Sequence, residues 1–464
     1  MKGRGSPLYF CRPRAAFYGN QKKASGEMAG EGETAAGEPA APGRLLGDPA
    51  FVRLWLCGGV TGALRWLELL AVSVFVLETT GSPFLVALLT FLRMGPMLLC
   101  GIPAGALADR YDRRRLLIIV LLALAVISTV LALLALTGRL AIWQIALGTL
   151  LSGVYWSAEF PVRRTMVGEV AGPPRLSRAM ALESATGNAT RMVGPALGGL
   201  LMETMGLPGV YLISALAHGV CALLILRLAH DAGEQRAAPT SLGVMLREGW
   251  RFTRARRVVV GALAITVIVN LWGFAYITMV PVIGERVLQL SPTLIGLLLS
   301  AEGLGALLGA LLVARFERPR RHLQIYAGSS FLFLLGVLGF AWSSWFPLSL
   351  AMILVSGIGI AGFAVMQSTI FFLAAPAAMR SRVMGILTVS IGAGPLGMLH
   401  VGLLADWLGA PAAVALIACE GLLALALAVL IWPELRRQAA LAQEPAGATS
   451  RRTAMPSSSA DGAG

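Results

Sequence analysis

Apolar residues fill this chain in long blocks rather than in alternating or helical stripes. A helix needs about 20 apolar residues to cross a hydrocarbon core. Blocks of that kind run Phe51–Leu77, Pro83–Leu107, Leu116–Leu136, Ala141–Phe160, Ala179–Met202 and Pro208–Leu228. Six more follow: Val258–Pro281, Leu294–Ala314, Leu323–Trp342, Phe346–Ala374, Val383–Ala405 and Pro411–Trp432. The connections are short except for His230–Arg257, between the sixth and seventh blocks. The pattern predicts an all-α integral membrane fold with twelve transmembrane helices in two pseudo-symmetric six-helix bundles, residues 49–229 and 258–433. Residues 230–257 link them. Residues 1–48 and 434–464 are expected to be disordered cytoplasmic tails.

Arginine placement orients the blocks. Arg110 and Arg113–Arg115 follow span two; Arg163, Arg164, Arg175 and Arg178 follow span four. Arg236, Arg247, Arg251, Arg254, Arg256 and Arg257 occupy the central connection. Arg315, Arg318, Arg320 and Arg321 follow span eight, and Arg380 and Arg382 follow span ten. The alternate connections hold only Arg139 and Arg286. The positive-inside rule makes the Arg-rich side cytoplasmic, together with both termini. The formal charge of +14 is therefore topological and gives no reason to expect nucleic acid.

Composition agrees: 56% of the 464 residues are hydrophobic and 13% charged, about half the charge of a soluble chain. Five Cys, with no C-x-x-C, read as packing residues. No signal peptide is evident, and Met28 is an alternative start to Met1. In the linker, Leu242, Met245, Leu246, Trp250 and Phe252 lean to one side of a helix and Arg247, Arg251 and Arg254 lie opposite. This predicts an amphipathic tether on the inner membrane surface. Leu107–Arg115 (LADRYDRRR) and Leu312–Arg320 (LVARFERPR) are alike, and Gly194-Pro195 has a counterpart in Gly394-Pro395. Both offsets are close to 200 residues, the mark of a parallel repeat.

Gly105, Leu107, Asp109, Arg110, Arg113 and Arg114 resemble motif A of the major facilitator superfamily, with Asp112 where the motif has a second Gly. Thr80-Gly81-Ser82-Pro83, Pro161-x-Arg163-Arg164, Asn188-x-x-Arg191-x-x-Gly194-Pro195-x-x-Gly198-Gly199 and Arg380-Ser381-Arg382-Val383-Met384-Gly385 resemble its enterobactin-exporter and macrolide-efflux branch. The resemblance covers about Asp48 to Pro433. It implies alternating access, with Asp109 latching the halves against the start of span eleven. Arg113 or Arg114 is expected to pair with Glu159. Glu183, Gly187, Arg191 and Gly194 form a stripe on span five, where Gly187, Gly194 and Gly198 suit close helix packing and Pro195 suits a kink. The stripe is similar to motif C of antiporters, with Thr190 at one glycine position.

Ionisable groups at membrane depth cost about 2.5–3.5 kcal/mol, so they usually serve a function. Here they are Arg65, Glu68, Arg93, Arg191, Glu302 and Glu420, with His218 and His400. Arg65 and Glu68 are spaced to neutralise each other; otherwise Glu68 is a proton site partnered by Arg93 or Arg191. Trp66, Asn188, Asn270, Trp272, Tyr276 and Gln367 are candidate cavity walls. The four His are scattered, and no H-E-x-x-H, G-x-S-x-G or Walker A run occurs, so no enzyme, metal site or cofactor is expected. The reading is proton-coupled efflux of a small organic molecule, a drug or siderophore-like metabolite, by a monomer in the bacterial inner (plasma) membrane. The alternatives are a uniporter, an importer, a lipid flippase, or a non-transporting receptor or scaffold.

Overall fold

The computed structural model describes residues 45–110, 112–228, 242–316, 321–376 and 379–436. The side chains of 98–110, 173, 242–246 and 381 are not described. Among the described residues nine helices are long and apolar enough to cross a membrane. One of these, Pro174–Leu226, contains a reversal at Gly206, where φ is +63° and the chain needs glycine's freedom. Pro83–Arg110 and residues 142–171 add two more helices, so the described chain is compatible with twelve spans.

Span one is Pro49–Thr80 and span two Pro83–Arg110. Asp48 begins span one by accepting hydrogen bonds from the Ala50 and Phe51 backbones, and Gly81 ends it in the left-handed conformation. Thus the expected N-terminal tail is structured from Leu45, as a short turn and this cap. Likewise Pro433–Arg436 forms a turn rather than the start of a tail. The rest of both tails, the linker segment 229–241 and the repeat end 317–320 lie outside the described residues.

Spans four and five are longer than hydropathy suggested. Helix continues past Phe160 to the reversal at Gly172 (φ +66°) and resumes with Pro174. Arg163, Arg164, Arg175 and Arg178 are therefore helical, not loop residues. Their charges defeat a hydropathy window, but Arg163 is buried among carboxylates and Arg164 lies over the Phe160 ring. Pro195 leaves helical dihedrals intact around it, since Gly172 and Gly206 alone depart from them in the 142–226 stretch.

The second half starts with Arg257–Arg286, span seven. Its middle is irregular: a π-helical turn at Val269–Gly273 and a 3-10 stretch at Phe274–Met279. Spans eight, nine and ten are Pro292–Phe316, His322–Ala341 and Phe346–Ala374. Span eleven is Arg380–Ile391 and Gly394–Leu408, with a break at Gly392-Ala393; span twelve is Ala410–Ile431. The linker helix, Leu242–Arg254, packs on span eleven. Gly249 abuts the Arg382 backbone, and Glu248 pairs with Arg382 at 2.8 Å. This face, expected to lie on lipid, is thus covered by protein at Gly249 and Thr253, while Arg247, Trp250, Arg251 and Arg254 stay exposed.

The halves meet most tightly along spans five and eight, which run antiparallel with almost no side chain between them. A methyl group at Gly303 would lie 2.8 Å from the Met192 Cα. One at Gly296 would meet the Pro195 carbonyl, and one at Gly199 the Pro292 carbonyl. Small residues allow helix backbones to approach this closely. At the end opposite the Arg-rich loops, further bonds join the halves. The Phe84 N–H donates to Asp406 Oδ1 (3.2 Å), the Thr293 N–H donates to Glu203 Oε2 (3.1 Å), and Arg286 donates to the Gly81 carbonyl. Gly402 abuts Ala87 and Phe84 on the other flank. The Arg-poor end is therefore shut.

Candidate transport site

The first half has a polar interior. Glu68 on span one pairs with Arg93 on span two at 3.0 Å, both buried. Arg65 does not neutralise Glu68 as its spacing allowed; its guanidinium stacks over Trp156 (4.5 Å) and Trp66 (5.4 Å). One turn towards the Arg-rich end, Arg163 donates from Nε to Glu159 (2.6 Å) and from Nη1 to both Glu183 oxygens (2.8 Å). Gly58 of span one makes room for this guanidinium, since a Cβ there would collide with it. Two water-sized chambers, about 60 and 30 Å3, lie among these groups. Arg65, Glu159 and Trp156 line both. His218 reaches the smaller one and holds its Nδ1 2.8 Å from the Ser214 carbonyl oxygen.

One ion pair joins the halves near the middle of their helices. Arg191 of span five lies 2.9 Å from Glu302 of span eight, and Glu302 is buried. The Arg191 guanidinium also lies over Trp66 of span one (5.4 Å) and Phe274 of span seven (5.8 Å). Four arginines (65, 93, 163, 191) are thus balanced in number by four glutamates (68, 159, 183, 302). Three of the arginines pair directly, and Arg65 lies over tryptophan rings instead. Without the balance the desolvation cost would be several kcal/mol per ion.

The second half is less charged. Glu420 accepts from Trp272 Nε1 at 2.7 Å and lies 3.7 Å from His400. Gln367 donates to Thr266 Oγ1, which also bonds Tyr326, and Asn270 donates to the Thr266 carbonyl. Asn270 and Gln367, taken as cavity walls, are therefore buried in this hydrogen-bond cluster. Tyr276 is also core: fully buried, edge-on to Phe333 and Phe340, with its hydroxyl 3.4 Å from Ser356. Asn188 is exposed on span five. The π-helical turn carrying Asn270 and Trp272 presses the Leu271 carbonyl onto Gly397 of span eleven.

On span five, Gly194 and Gly198 are close-packing positions, against Trp66 and Ala63 and against Leu67 of span one. Gly187 is not: nothing lies within 4 Å of its added Cβ, and it lines the larger chamber. The same residue type serves two purposes because the stripe turns from a helix contact to open space within two turns.

The loop between spans two and three departs from expectation at Glu159. Arg113 pairs with Glu169, and Arg114 donates to the Ile225 and Leu226 carbonyls at the end of span six. Glu159 is engaged by Arg163 instead, because helix 142–171 carries it inside the half, away from that loop. Asp112, replacing the usual glycine, caps span three by accepting from the Arg114 and Arg115 backbones at 2.9 and 3.2 Å. The side chains of Gly105, Asp109 and Arg110 lie outside the described residues. Sequence reasoning missed Arg163 and Phe274 as site residues. Arg163 did carry a signal, in Pro161-x-Arg163-Arg164 one turn after Glu159; Phe274 carried none.

Comparison with known proteins shows the family. The profile of a family described as transmembrane secretion effectors matches residues 40–456. The staphyloferrin A transporter of Staphylococcus aureus is 24% identical over 351 residues, covering 74% of this chain and 87% of the relative. The multidrug efflux pump Tap of Mycobacterium tuberculosis is 29% identical over 412 residues, 84% and 96% of the two chains. Macrolide efflux protein A of Streptococcus pyogenes is 21% identical, with 77% and 90% covered. Among solved structures, an inward-facing bacterial homologue of the lysosomal transporter Spinster has a TM-score of 0.61 at 15% identity, covering 83% of this chain and 95% of its own. A POT family transporter in complex with 5-aminolevulinic acid has 0.66 at 12%, with 84% and 96% covered. These structural likenesses carry the fold alone. Relatives and fold describe a multi-pass membrane transporter of small molecules and not an enzyme, and the chain belongs to the transmembrane secretion effector family, in the efflux branch of the major facilitator superfamily.

Proposed function

We propose that this protein is a proton-driven exporter of small amphiphilic organic molecules, working by alternating access between the bundles 49–229 and 258–433. The observation that carries it is the Arg191–Glu302 pair, which ties the halves together at mid-depth between the aromatic faces of Trp66 and Phe274. A solute entering from the Arg-rich, cytoplasmic side meets these groups where the halves are shut beyond them. Aromatic faces and one charge pair suit an amphiphile, in keeping with relatives named for multidrug, macrolide and siderophore transport. Competition for Arg191 or Glu302 loosens the seam, and the halves rock to the outward-open state.

Glu68 is the proton carrier in this reading. Arg93 holds one of its oxygens, and the other, Oε1, has no hydrogen-bond partner among the described residues. Glu68 lines the smaller chamber, through which water brings protons. Each proton crossing 100 mV supplies about 2.3 kcal/mol. Asp109 remains the proposed latch of the opposite state, the protein acts as a monomer, and the Arg-rich end faces the cytoplasm of a bacterial inner membrane. The test is purified protein in liposomes holding an internal pH dye, challenged with drugs and siderophores. A solute-dependent proton flux that disappears in Glu68→Gln is expected. Flux that persists in Glu68→Gln removes Glu68 from the mechanism, and no flux with any solute refutes proton coupling.

A further inference from the structure

The seam between spans five and eight has two edges of different chemistry. Its inner edge is closed by backbone contact at Gly199, Gly296 and Gly303. Its outer edge widens into a groove of about 530 Å3, walled by Met192, Ala196 and Leu200 of span five, Leu297 and Leu304 of span eight, and Leu354 of span ten. That volume is in the range of small-molecule sites.

The lining selects one kind of occupant. It has no charged group, and its only side-chain polar atoms are the hydroxyls of Thr293 and Ser300. Leu197, Leu200, Leu297 and Leu304 on its rim are 40–46% exposed. In membrane-crossing helices such residues face lipid, so the groove opens on the bilayer. A polar solute or headgroup buried here would lose its hydrogen bonds to water and regain almost none. Depth agrees as well. From Thr293 to Leu304 the groove follows eleven residue steps of span eight, about 16 Å of helix rise. That is about half of the ~30 Å hydrocarbon core, one leaflet.

We propose that this groove holds one acyl chain of a bilayer phospholipid, hung from the leaflet at the Arg-poor end with its tip beside the Arg191–Glu302 pair. The chain is wedged across the seam, because both halves supply walls. It therefore binds the state in which the Arg-poor end is shut better than the state in which it is open, and shifts the balance by that difference in affinity. This second part rests on the alternating-access reading above; occupancy of the groove does not.

The test uses the full chain in nanodiscs containing a phosphatidylethanolamine with a diazirine at its acyl terminus. After photolysis, labelled residues are mapped by mass spectrometry. Labelling within 192–200 and 297–304 is expected to exceed that at the exposed Val126 and Leu133 of span three by about tenfold, a preference of about 1.4 kcal/mol. Ala196→Trp fills the groove and should abolish the excess; Leu297→Trp fills it from the facing wall if the first variant folds poorly. Even labelling across all lipid-facing helices in the wild type overturns the proposal, as does an excess that survives in the filled variants. The same labelling is repeated in Gly303→Ala, whose added methyl opposes the shut seam: a weaker label is expected there, and an equal one keeps the acyl site but refutes its preference for the shut state.

Discussion

Replacing Gly303 by alanine asks whether the seam between spans five and eight belongs to one state of the transporter. The new methyl carbon would lie 2.8 Å from the Met192 Cα and 2.9 Å from its Cβ and backbone nitrogen. Carbon atoms pack best at about 3.5–4.0 Å, so the helices must part by roughly 1 Å. Overpacking of this kind costs about 1–3 kcal/mol. Alanine also favours a helix over glycine by about 1 kcal/mol. That gain is common to every state in which span eight is helical, so it cancels from the balance between states. The clash does not cancel, because it exists only while the Arg-poor end is shut. A shift of about 5- to 150-fold towards the opposite state follows. Spin labels at Thr79 and Ser344, both exposed at that end, would report it by pulsed EPR in nanodiscs with native cysteines replaced. Gly198→Ala is the control. Its methyl would lie 2.6 Å from the Leu67 carbonyl oxygen within the first half, so it should lower thermal stability and leave the distance distribution in place. Unchanged distances in Gly303→Ala, or equal changes in both variants, would refute the reasoning.

Two further outcomes are expected. Arg163→Met leaves Glu159 and Glu183 buried without their cation, which should destabilise the protein by about 3–5 kcal/mol. The melting temperature should fall sharply and recover in part with Glu183→Gln; a melt identical to wild type would show that the carboxylates find other partners. Tyr276→Phe loses a 3.4 Å contact with Ser356 and an interaction with the Glu302 carboxylate, together worth about 1–3 kcal/mol, and should lower the melting temperature while transport persists. Loss of transport would return Tyr276 to the solute pathway.

Most spans were legible because lipid exposure is a matter of composition: a run such as Leu116–Leu136 needs no tertiary knowledge to be placed. Legibility ended where charge is neutralised by folding. Arg163 looks like a loop arginine until span five brings Glu183 against it. Glu68 had three potential cations, Arg65, Arg93 and Arg191, and only the crossing of spans one and two chose Arg93. The inter-half pair was the hardest to see. Arg191 and Glu302 were each marked as costly membrane charges, but they are 111 positions apart and the glycine seam alone brings them within 2.9 Å. Irregular backbone was invisible for a different reason. The π-helical turn at Val269–Gly273 has weak helix formers in Val269, Asn270 and Gly273, but no residue pattern there distinguishes a π-helical turn from a regular one.

The docked linker helix has a mechanical consequence. Its inner face is fastened to the foot of span eleven by Gly249 and the Glu248–Arg382 pair, so it travels as a passenger of the second half. The arginines that it leaves exposed, Arg247, Arg251 and Arg254, form a handle at the Arg-rich end that is seated on the second half. Anything that grips this handle pulls directly on the half on which the helix is seated.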